Sequence, residues 1–280
     1  MVSNYDPYWV SDFYDKYAEK EWQRWDRNAV SSARFYLHVQ YLRTWIKPGM
    51  RVLEAGAASG RFTQVLAELG AKVVVLDLSA KQLELNRENA QVEEFEGAVE
   101  ERVQADICDL SRFTDASFDA VVCYGGPLSY VFDRRDTAIA ELLRVTKPGG
   151  PMLLSVMSKW GTHQEYLVDI MNGGSADQIR AVVRTGDIHP VTWPVATHRC
   201  HLYTAAKLDS WLRAQGSEVL VLSSSNALTT AHQPGLEALR NDRPRWQTLM
   251  ELEVEACASP GCLDMGTHLI AVVRRLPDTI

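Results

Sequence analysis

Residues 50–60 read Met-Arg-Val-Leu-Glu-Ala-Gly-Ala-Ala-Ser-Gly, and residues 72–77, after a predicted helix, read Lys-Val-Val-Val-Leu-Asp. An apolar strand ends at an acidic residue, Glu54, a turn of small residues follows, and a second apolar strand ends at the carboxylate of Asp77. This order is typical of a βαβ unit that binds a nucleoside, because small residues let a ligand approach the backbone. We therefore expect an α/β sheet in which Asp77 holds a ribose.

The turn argues against a dinucleotide. A pyrophosphate needs glycines in the pattern G-x-G-x-x-G at the start of a helix, whereas these positions hold Gly56, Ala58 and Arg61. The bulky Arg61 stands where the third glycine normally permits close packing of the helix on the strand. The sequence therefore disfavours a pyrophosphate site.

The spacing Glu54-x-Gly56-x-x-x-Gly60 resembles motif I of the class I S-adenosylmethionine-dependent methyltransferases, whose usual pattern is acidic-x-G-x-G-x-G. Ala58 departs from this pattern by one methyl group, and we expect the pocket to tolerate it. The resemblance implies S-adenosyl-L-methionine as the cofactor. It places Glu54 at the methionine end, with Gly56, Ala58 and Gly60 leaving room for the ligand.

Further strand ends agree with the family in order and spacing. Asp77, with Leu78 beside it, would accept hydrogen bonds from the ribose hydroxyls, because a carboxylate is a pure acceptor. Asp106 would accept from the adenine amino group, and Ile107 would pack on the ring. Cys123 begins the loop that the family places beneath the sulfonium. Ligands of open α/β sheets bind outside these strand ends.

Residues 142–150, Leu-Leu-Arg-Val-Thr-Lys-Pro-Gly-Gly, look like the helix-turn-strand signature of the ubiquinone and menaquinone type of small-molecule methyltransferase. The resemblance implies a Rossmann-like, seven-stranded, mostly parallel sheet with an antiparallel edge strand, plus N-terminal helices and an inserted helical cap. We expect an N-terminal helical lid over 1–46, a core over 47–157 and 202–280, and an inserted cap over 158–201.

Aromatic residues concentrate at the N-terminus, where residues 1–46 carry twelve of the 25 in the chain. Within them, residues 14–18 resemble the Tyr-Asp-x-x-Ala element of many small-molecule methyltransferases, whose aromatic residue lies close to the cofactor or substrate. Tyr14 is therefore a predicted cofactor contact. Arg34 is a candidate partner of the cofactor carboxylate, with an exposed salt bridge as the alternative. The same aromatics could instead pack helices on the sheet or form a homodimer interface.

Hydrophobic periodicity and caps give the remaining elements. We predict helices over 12–25 and up to Trp45, cap helices over 164–171 and 176–184, a helix from Thr204 to Gln215, a strand over 218–222, a long helix over about 234–258, and a last strand over 267–275, antiparallel at the sheet edge.

Composition limits the partners. A net charge of −7 and a pI near 5.5 disfavour a nucleic acid, since binders of polyanions collect Lys and Arg on one face. No run reaches membrane-spanning length and the N-terminus lacks a secretory signal, so we expect a cytoplasmic protein that acts on a small molecule without a membrane. The five cysteines are irregularly spaced and show no zinc pattern, so we expect no metal.

The family implies in-line displacement, in which a nucleophile takes the sulfonium methyl and leaves S-adenosylhomocysteine. A general base is needed only for a nucleophile that is protonated at neutral pH. The candidates are His201, His163 and Tyr124, with His201 preferred. A catalytically silent S-adenosylmethionine-binding partner protein and a nicotinamide-dependent oxidoreductase are the alternatives. The sequence leaves open the oligomeric state, the acceptor, and whether its oxygen, nitrogen, sulfur or carbon is methylated.

Overall fold

The computed structural model describes residues 4–194, 196–230 and 235–276. Its helices are α1 (Pro7–Tyr17), α2 (Lys20–Gln23), α3 (Ala29–Trp45), α4 (Arg61–Glu68), α5 (Ala80–Val92), α6 (Pro127–Tyr130), α7 (Arg135–Val145), α8 (Lys159–Glu165), α9 (Leu167–Gly173), α10 (Ala176–Thr185), α11 (Ala205–Ala214), α12 (Leu236–Asn241) and α13 (Arg243–Ala258). Its strands are β1 (Arg51–Ala55), β2 (Lys72–Asp77), β3 (Val99–Gln104), β4 (Ala120–Cys123), β5 (Pro151–Met157), β6 (Asp187–Ile188), β7 (Cys200–His201), β8 (Ser217–Ser224) and β9 (His268–Arg275).

Seven strands form one sheet in the order β3-β2-β1-β4-β5-β9-β8. The first five strands of the chain are parallel, and β9 runs antiparallel to both β5 and β8. The predicted seven-stranded, mostly parallel sheet is confirmed. The strand order changes direction between β1 and β4, which is where open α/β sheets form a ligand crevice.

The antiparallel strand β9 lies one position inside the edge that the sequence prediction gave it, because β8 forms the end of the sheet. Burial explains the order. Residues 269–273 of β9 are all fully buried, whereas residues 218–222 of β8 are partly exposed. A strand that is apolar on both faces is better placed between neighbours, and a half-exposed strand tolerates the edge.

The strands alternate their side chains between two cores, as the period of two in a strand requires. Leu53 of β1 and Leu76 of β2 face a core that also holds apolar residues of α7 and α11. Val52 and Val75 face the other core, which holds residues of α3, α4 and α13. Helices therefore cover both faces of the sheet, and its carboxyl end is the part that the N-terminal helices and the cap can reach.

Two predicted helices are interrupted. The helix predicted over 12–25 is divided at Ala18, whose φ of +47° ends α1. The predicted long C-terminal helix is divided at Asp242, which is extended and accepts a hydrogen bond from the backbone N–H of Arg245 to cap α13. Pro244 in the first turn of α13 favours this break, since a proline has no N–H to donate to the preceding turn and is tolerated only at the start of a helix. The predicted start at Pro234 lies outside the described residues.

The segment between β5 and α11 folds into three short helices, α8 to α10, and the hairpin β6-β7. Trp193, Ile170, Val182 and Leu202 form a small core of their own with Tyr130 of α6. This core seats the predicted cap beside the carboxyl end of the sheet. No helix in the described part of the chain is both long enough and apolar enough to cross a membrane.

Candidate functional site

Two adjoining cavities open at the carboxyl end of the parallel strands. The inner cavity, of about 80 Å³, is lined by Tyr5, Val10, Tyr14, Glu21, Arg24, Trp25, residues 56–62, residues 76–78, residues 105–107, Tyr124, Gly125, Pro127, Tyr130 and Val131. The outer cavity, of about 580 Å³, is lined by Phe13, Tyr14, Tyr17, Glu21, Arg24, Trp25, Arg27, Ser31, Arg34, Tyr130, Met157, Thr162, Tyr166, Asp169, Ile170, Gly173, Ile188, Trp193, residues 196–198, Cys200, Thr267 and His268. The outer cavity therefore lies between the N-terminal helices and the cap.

The turn after β1 forms the floor of the inner cavity. Gly56 and Gly60 have φ values of +79° and +99°, and a Cβ on Gly56 would lie 2.3 Å from Pro127 Cγ. Only glycine adopts this backbone without strain and leaves that space. Ala58 also has a positive φ, +48°, so the alanine that departs from the family pattern keeps the turn in a glycine-like conformation.

Asp77 stands at the end of β2 and joins two loops of the site. Its Oδ2 accepts a hydrogen bond from the backbone N–H of Ala58 at 2.8 Å, and its Oδ1 accepts one from that of Ser79 at 2.8 Å. Burial raises the pKa of this carboxyl to about 6 despite these bonds. Each carboxylate oxygen has a second lone pair, so Asp77 can still accept from a ligand hydroxyl.

The residues after β3 line the same cavity from the other side. Asp106 accepts a hydrogen bond from the Tyr5 hydroxyl at 2.8 Å and one from the backbone N–H of Cys108 at 2.8 Å. Ile107 is buried beside it, and Leu78 lines the wall between Asp106 and Asp77. The predicted grouping of Asp77, Leu78, Asp106 and Ile107 around one cavity is therefore what the structure has.

Two predicted cofactor contacts do not line the cavity. Glu54 lies beneath the turn, where its Oε2 accepts a hydrogen bond from Thr63 Oγ1 at 2.6 Å, because Thr63 in the first turn of α4 reaches back to β1. Burial raises the pKa of Glu54 to about 8. Cys123 is fully buried in the sheet core, and the following residues Tyr124 and Gly125 reach the cavity instead.

The two cavities share a wall formed by the N-terminal helices and α6: Tyr14, Glu21, Arg24, Trp25 and Tyr130 line both. Arg24 Nε lies 2.6 Å from Glu21 Oε1, and Arg24 Cζ lies 4.1 Å from the centroid of the Trp25 ring. Burial raises the pKa of Glu21, which the nearby Arg24 counteracts. This buried ion pair puts a fixed cation and a carboxylate where the two cavities meet.

The hydroxyls of Ser59 and Tyr124 are among the polar atoms of the inner wall that are buried without a hydrogen-bond partner in the described residues. A buried polar group that lacks a partner is costly, and such groups commonly mark a site that a ligand or water completes. Together with the two carboxylates and the open turn, they fit a ligand with several hydroxyl and amino groups.

Arg34 does not reach the inner cavity. It lines the outer cavity, where its guanidinium pairs with Glu165 of α8 at 3.1 Å and donates to Asn226 Oδ1 at 3.1 Å. Because Arg34 joins α3 to the first cap helix, its contacts support a salt bridge, although the pair is largely buried and not exposed as the sequence prediction had it. Two other arginines, Arg24 and Arg61, line the inner cavity, and Arg61 is paired with Asp26 at 2.8 Å.

Of the three predicted catalytic candidates, only Tyr124 lines a cavity. His201 Nδ1 lies 2.7 Å from Asp187 and its Nε2 lies 3.2 Å from the Arg135 guanidinium. Since arginine can only donate, Nε2 accepts and Nδ1 donates to Asp187, so both ring nitrogens of His201 are engaged away from the cavities.

His163 likewise lines neither cavity. Its Nδ1 bonds to the backbone carbonyl of Lys159 at 2.7 Å within α8. Because side chains of a helix tilt toward its N-terminus, the ring lies along α8 and reaches this carbonyl one turn earlier. The structure thus does not bring the two predicted histidines to the site.

Sequence reasoning missed Glu21, Arg24, Tyr130 and His198. The spacing of Glu21 and Arg24, three residues apart, was a visible signal of a helical ion pair, but not of its burial. Tyr130 and His198 come from segments distant in sequence, and only the fold brings them together. No group of three or more His, Cys, Asp or Glu side chains in the described ranges could hold a metal ion.

Comparison with known proteins agrees with this architecture. The family described as "Methyltransferase domain" matches residues 53–154. A ubiquinone biosynthesis O-methyltransferase of Xanthomonas axonopodis pv. citri is 31% identical over 210 residues, which are 73% of this chain and 80% of that protein. A malonyl-[acyl-carrier protein] O-methyltransferase of Erwinia pyrifoliae is 37% identical over 197 residues, which are 70% of this chain and 62% of that protein.

A solved structure extends the likeness to almost the whole chain. The 1,6-didemethyltoxoflavin-N1-methyltransferase of Burkholderia thailandensis, with bound 1,6-didemethyltoxoflavin and S-adenosylhomocysteine, superposes with a TM-score of 0.56 at 17% identity, over 96% of this chain and 88% of that one. At this identity the likeness shows the fold alone. The chain spans 42% of the length of a mouse mitochondrial ubiquinone biosynthesis O-methyltransferase and 40% of a Pectobacterium atrosepticum malonyl-[acyl-carrier protein] O-methyltransferase.

Proposed function

This chain belongs to the class I S-adenosylmethionine-dependent methyltransferases, and we propose that it transfers a methyl group from S-adenosyl-L-methionine to a small-molecule acceptor. The observation that carries the proposal is the pair of adjoining cavities with a common wall. The inner one has the carboxylates and the open turn for a nucleoside. The outer one has the volume and the mostly apolar lining of a small-molecule site.

In this proposal, different residues of the inner cavity bind different parts of the cofactor. Asp77 accepts from the ribose hydroxyls, Asp106 accepts from the adenine amino group, and Ile107 packs on the ring. The turn from Gly56 to Gly60, including Ala58, leaves space for the methionine part. Arg24, whose side chain stands at this end of the cavity, is our candidate for pairing with the cofactor carboxylate in place of Arg34.

The bound cofactor supplies a methyl group on a sulfonium, which is a good electrophile with a stable leaving group. The protein then has to hold the acceptor in line and keep water away, and such positioning accounts for a large part of a rate enhancement. Tyr14, Trp25 and Tyr130 lie between the two cavities, so their rings would contact both ligands. Their electron-rich faces suit a neighbouring cation.

The outer cavity also indicates the kind of acceptor. Aromatic rings supply much of its wall, among them Phe13, Tyr17 and Trp193, and charged groups are interspersed. A partly apolar molecule of modest size fits this lining. The O-methyltransferase names of the two relatives favour a hydroxyl or carboxyl acceptor over other atom types.

A cytoplasmic location, a homodimer and the lack of a nucleic-acid substrate stay predictions from the sequence. The acidic net charge and five cysteines without disulfides support the first and third of these. The exposed Tyr8 on α1 is one aromatic that a second copy of the chain could cover.

The test is a transfer assay with S-adenosyl-L-methionine that carries a 13C methyl group, a panel of small phenols, carboxylic acids, amines and thiols, and mass detection of both products. We expect label in at least one phenol or carboxylic acid, with S-adenosylhomocysteine formed in equal amount. Cofactor binding without transfer to any compound would favour the silent partner protein, and transfer to RNA alone would refute the small-molecule proposal. NAD(H)-dependent oxidation of the panel, measured in parallel, would instead favour the oxidoreductase.

A further inference from the structure

Three side chains from separate parts of the chain form one hydrogen-bonded row at the wall between the cavities. The Tyr14 hydroxyl on α1 donates to the Tyr130 hydroxyl on α6 at 2.7 Å. The Tyr130 hydroxyl lies 3.2 Å from Nε2 of His198, which precedes β7 in the cap. Tyr14 and Tyr130 line both cavities, and His198 lines the outer one.

The direction of the row follows from the number of protons. A tyrosine hydroxyl has one proton. Because Tyr130 receives the proton of Tyr14, its own proton points to His198 Nε2, which must then be unprotonated. Burial and the positive charge of Arg24 lower the pKa of His198 to about 4, so the ring is neutral at neutral pH and has a single proton. With Tyr130 donating to Nε2, that proton is on Nδ1.

This direction determines which hydrogen bonds Tyr14, at the other end of the row, can still make. Tyr14 has used its only proton on Tyr130, so its oxygen can only accept a further hydrogen bond. No donor to this oxygen is present among the described residues. A ligand group that meets Tyr14 therefore has to bring a proton of its own.

We propose that the row Tyr14-Tyr130-His198 binds and orients a protonated hydroxyl group of an aromatic acceptor in the outer cavity. Tyr14 is the residue that touches the acceptor, and Tyr130 and His198 are positioning residues that keep Tyr14 in its accepting state. The proposal rests on the proposed function and deepens it, since it names the atom type that is methylated. As the hydroxyl oxygen takes the methyl group and S-adenosylhomocysteine leaves, the hydroxyl proton passes to Tyr14, the Tyr14 proton to Tyr130, and the Tyr130 proton to His198 Nε2. The aromatic part of the acceptor would lie against rings such as Phe13 and Trp193.

The direction of the hydrogen bonds makes the row select a protonated hydroxyl over an ionised oxygen. When the acceptor hydroxyl donates its proton to Tyr14, the lone pairs of the acceptor oxygen point away from Tyr14. In this orientation the lone pairs can face the inner cavity. An ionised oxygen would meet the lone pairs of Tyr14 and be repelled. The other charged or titratable groups that line the same cavity are unchanged in the variants below: Tyr17, Glu21, Arg24, Arg27, Arg34, Tyr166, Asp169, Cys200 and His268.

The test uses 4-nitrophenol, whose neutral and ionised forms absorb at different wavelengths, bound to protein saturated with S-adenosylhomocysteine. Absorbance is recorded against pH. We expect the bound probe to ionise at a pH higher than the free probe by about one unit, a tenfold change in its ionisation constant. In Tyr130→Phe and His198→Leu the Tyr14 proton is released to donate to the probe, so the midpoint should fall by at least that amount. The Kd of the neutral probe, measured well below its midpoint, should change less than about threefold, and the Kd of the ionised probe should account for the rest of the shift.

Two further variants separate this role from a structural one. His198→Gln offers an amide oxygen to Tyr130 and should restore most of the shift. Tyr36→Phe removes a tyrosine hydroxyl from α3, away from both cavities, and should behave as the wild type. Equal midpoints in the wild type, Tyr130→Phe and His198→Leu would overturn the proposal, as would a wild-type midpoint below that of the free probe or no binding of 4-nitrophenol. Failure of S-adenosylhomocysteine to bind the wild type, measured first, would instead refute the proposed function.

Discussion

The carboxylate of Asp77 accepts a hydrogen bond from the backbone N–H of Ala58 at 2.8 Å. This bond joins the end of β2 to the turn after β1, which are the two parts of the chain that the sequence pattern pairs across a predicted helix. It fixes the carboxylate on the inner cavity and holds the turn in its positive-φ conformation. The nucleoside site is therefore formed before any ligand binds, and a preformed site reduces the ordering that binding requires.

Gly56→Ala should disrupt the turn more than its backbone strain alone predicts. The new Cβ would lie 2.3 Å from Pro127 Cγ, in addition to the strain of a φ near +79°. Gly49→Ala is the matched control, because it has a φ of +82° and nothing within 4 Å of the added atom.

We expect Gly49→Ala to cost about 1 kcal/mol of unfolding free energy and Gly56→Ala about 2–3 kcal/mol more. Thermal melting of both variants measures the difference. Equal losses for the two would show that the loop of Pro127 moves away and that the turn is not tightly packed.

Buried Glu54 should make stability depend on pH. Its pKa is raised from 4.5 in the ordinary case to about 8 by burial, so the folded protein keeps a proton that the unfolded chain releases. Between these two values stability falls as pH rises, and above the upper one this contribution is constant.

Glu54→Gln removes the titration and keeps an acceptor for Thr63. The variant should therefore gain stability relative to the wild type as pH rises from about 5 to 8, by roughly 3–4 kcal/mol. Denaturant unfolding at several pH values measures this gain. The exposed Glu68→Gln in α4 serves as the control, and a wild-type-like pH dependence in Glu54→Gln would contradict the buried, protonated state.

His201→Ala tests whether His201, the residue that the sequence favoured as a general base, has a structural role instead. In the structure its two nitrogens link Asp187 of β6 to Arg135 of α7. We expect the variant to lose about 1–3 kcal/mol of unfolding free energy and to keep methyl transfer within about fivefold of the wild type. A loss of transfer above a hundredfold, with unchanged melting and cofactor affinity, would restore His201 as a catalytic residue.

The sequence predicted the sheet and the nucleoside end of the site because both depend on local patterns. Apolar strands that end in Asp77 and Asp106 lie at one edge whenever the strands are parallel, so their meeting needs no knowledge of side-chain packing. The turn from Gly56 to Gly60 is likewise a backbone property of a short segment.

The acceptor side could not be predicted in the same way. Tyr130 and His198 are 68 residues apart, and their hydrogen bond depends on how the cap packs on α6. The choice between Arg24 and Arg34 depended on a helix break at Ala18, where a positive φ in an alanine carries no sequence signal. The position of β9 depended on the relative burial of two strands with similar composition.

The central claim is that the inner cavity binds S-adenosyl-L-methionine through Asp77, and calorimetric titration with S-adenosylhomocysteine and S-adenosyl-L-methionine tests it most directly. We expect micromolar binding by the wild type, a loss of about tenfold to a hundredfold in Asp77→Asn, equivalent to about 1.4–2.8 kcal/mol, and unchanged binding by Glu88→Gln on the exposed face of α5. No binding by the wild type, equal binding by Asp77→Asn, or preferential binding of NAD(H) would contradict the account.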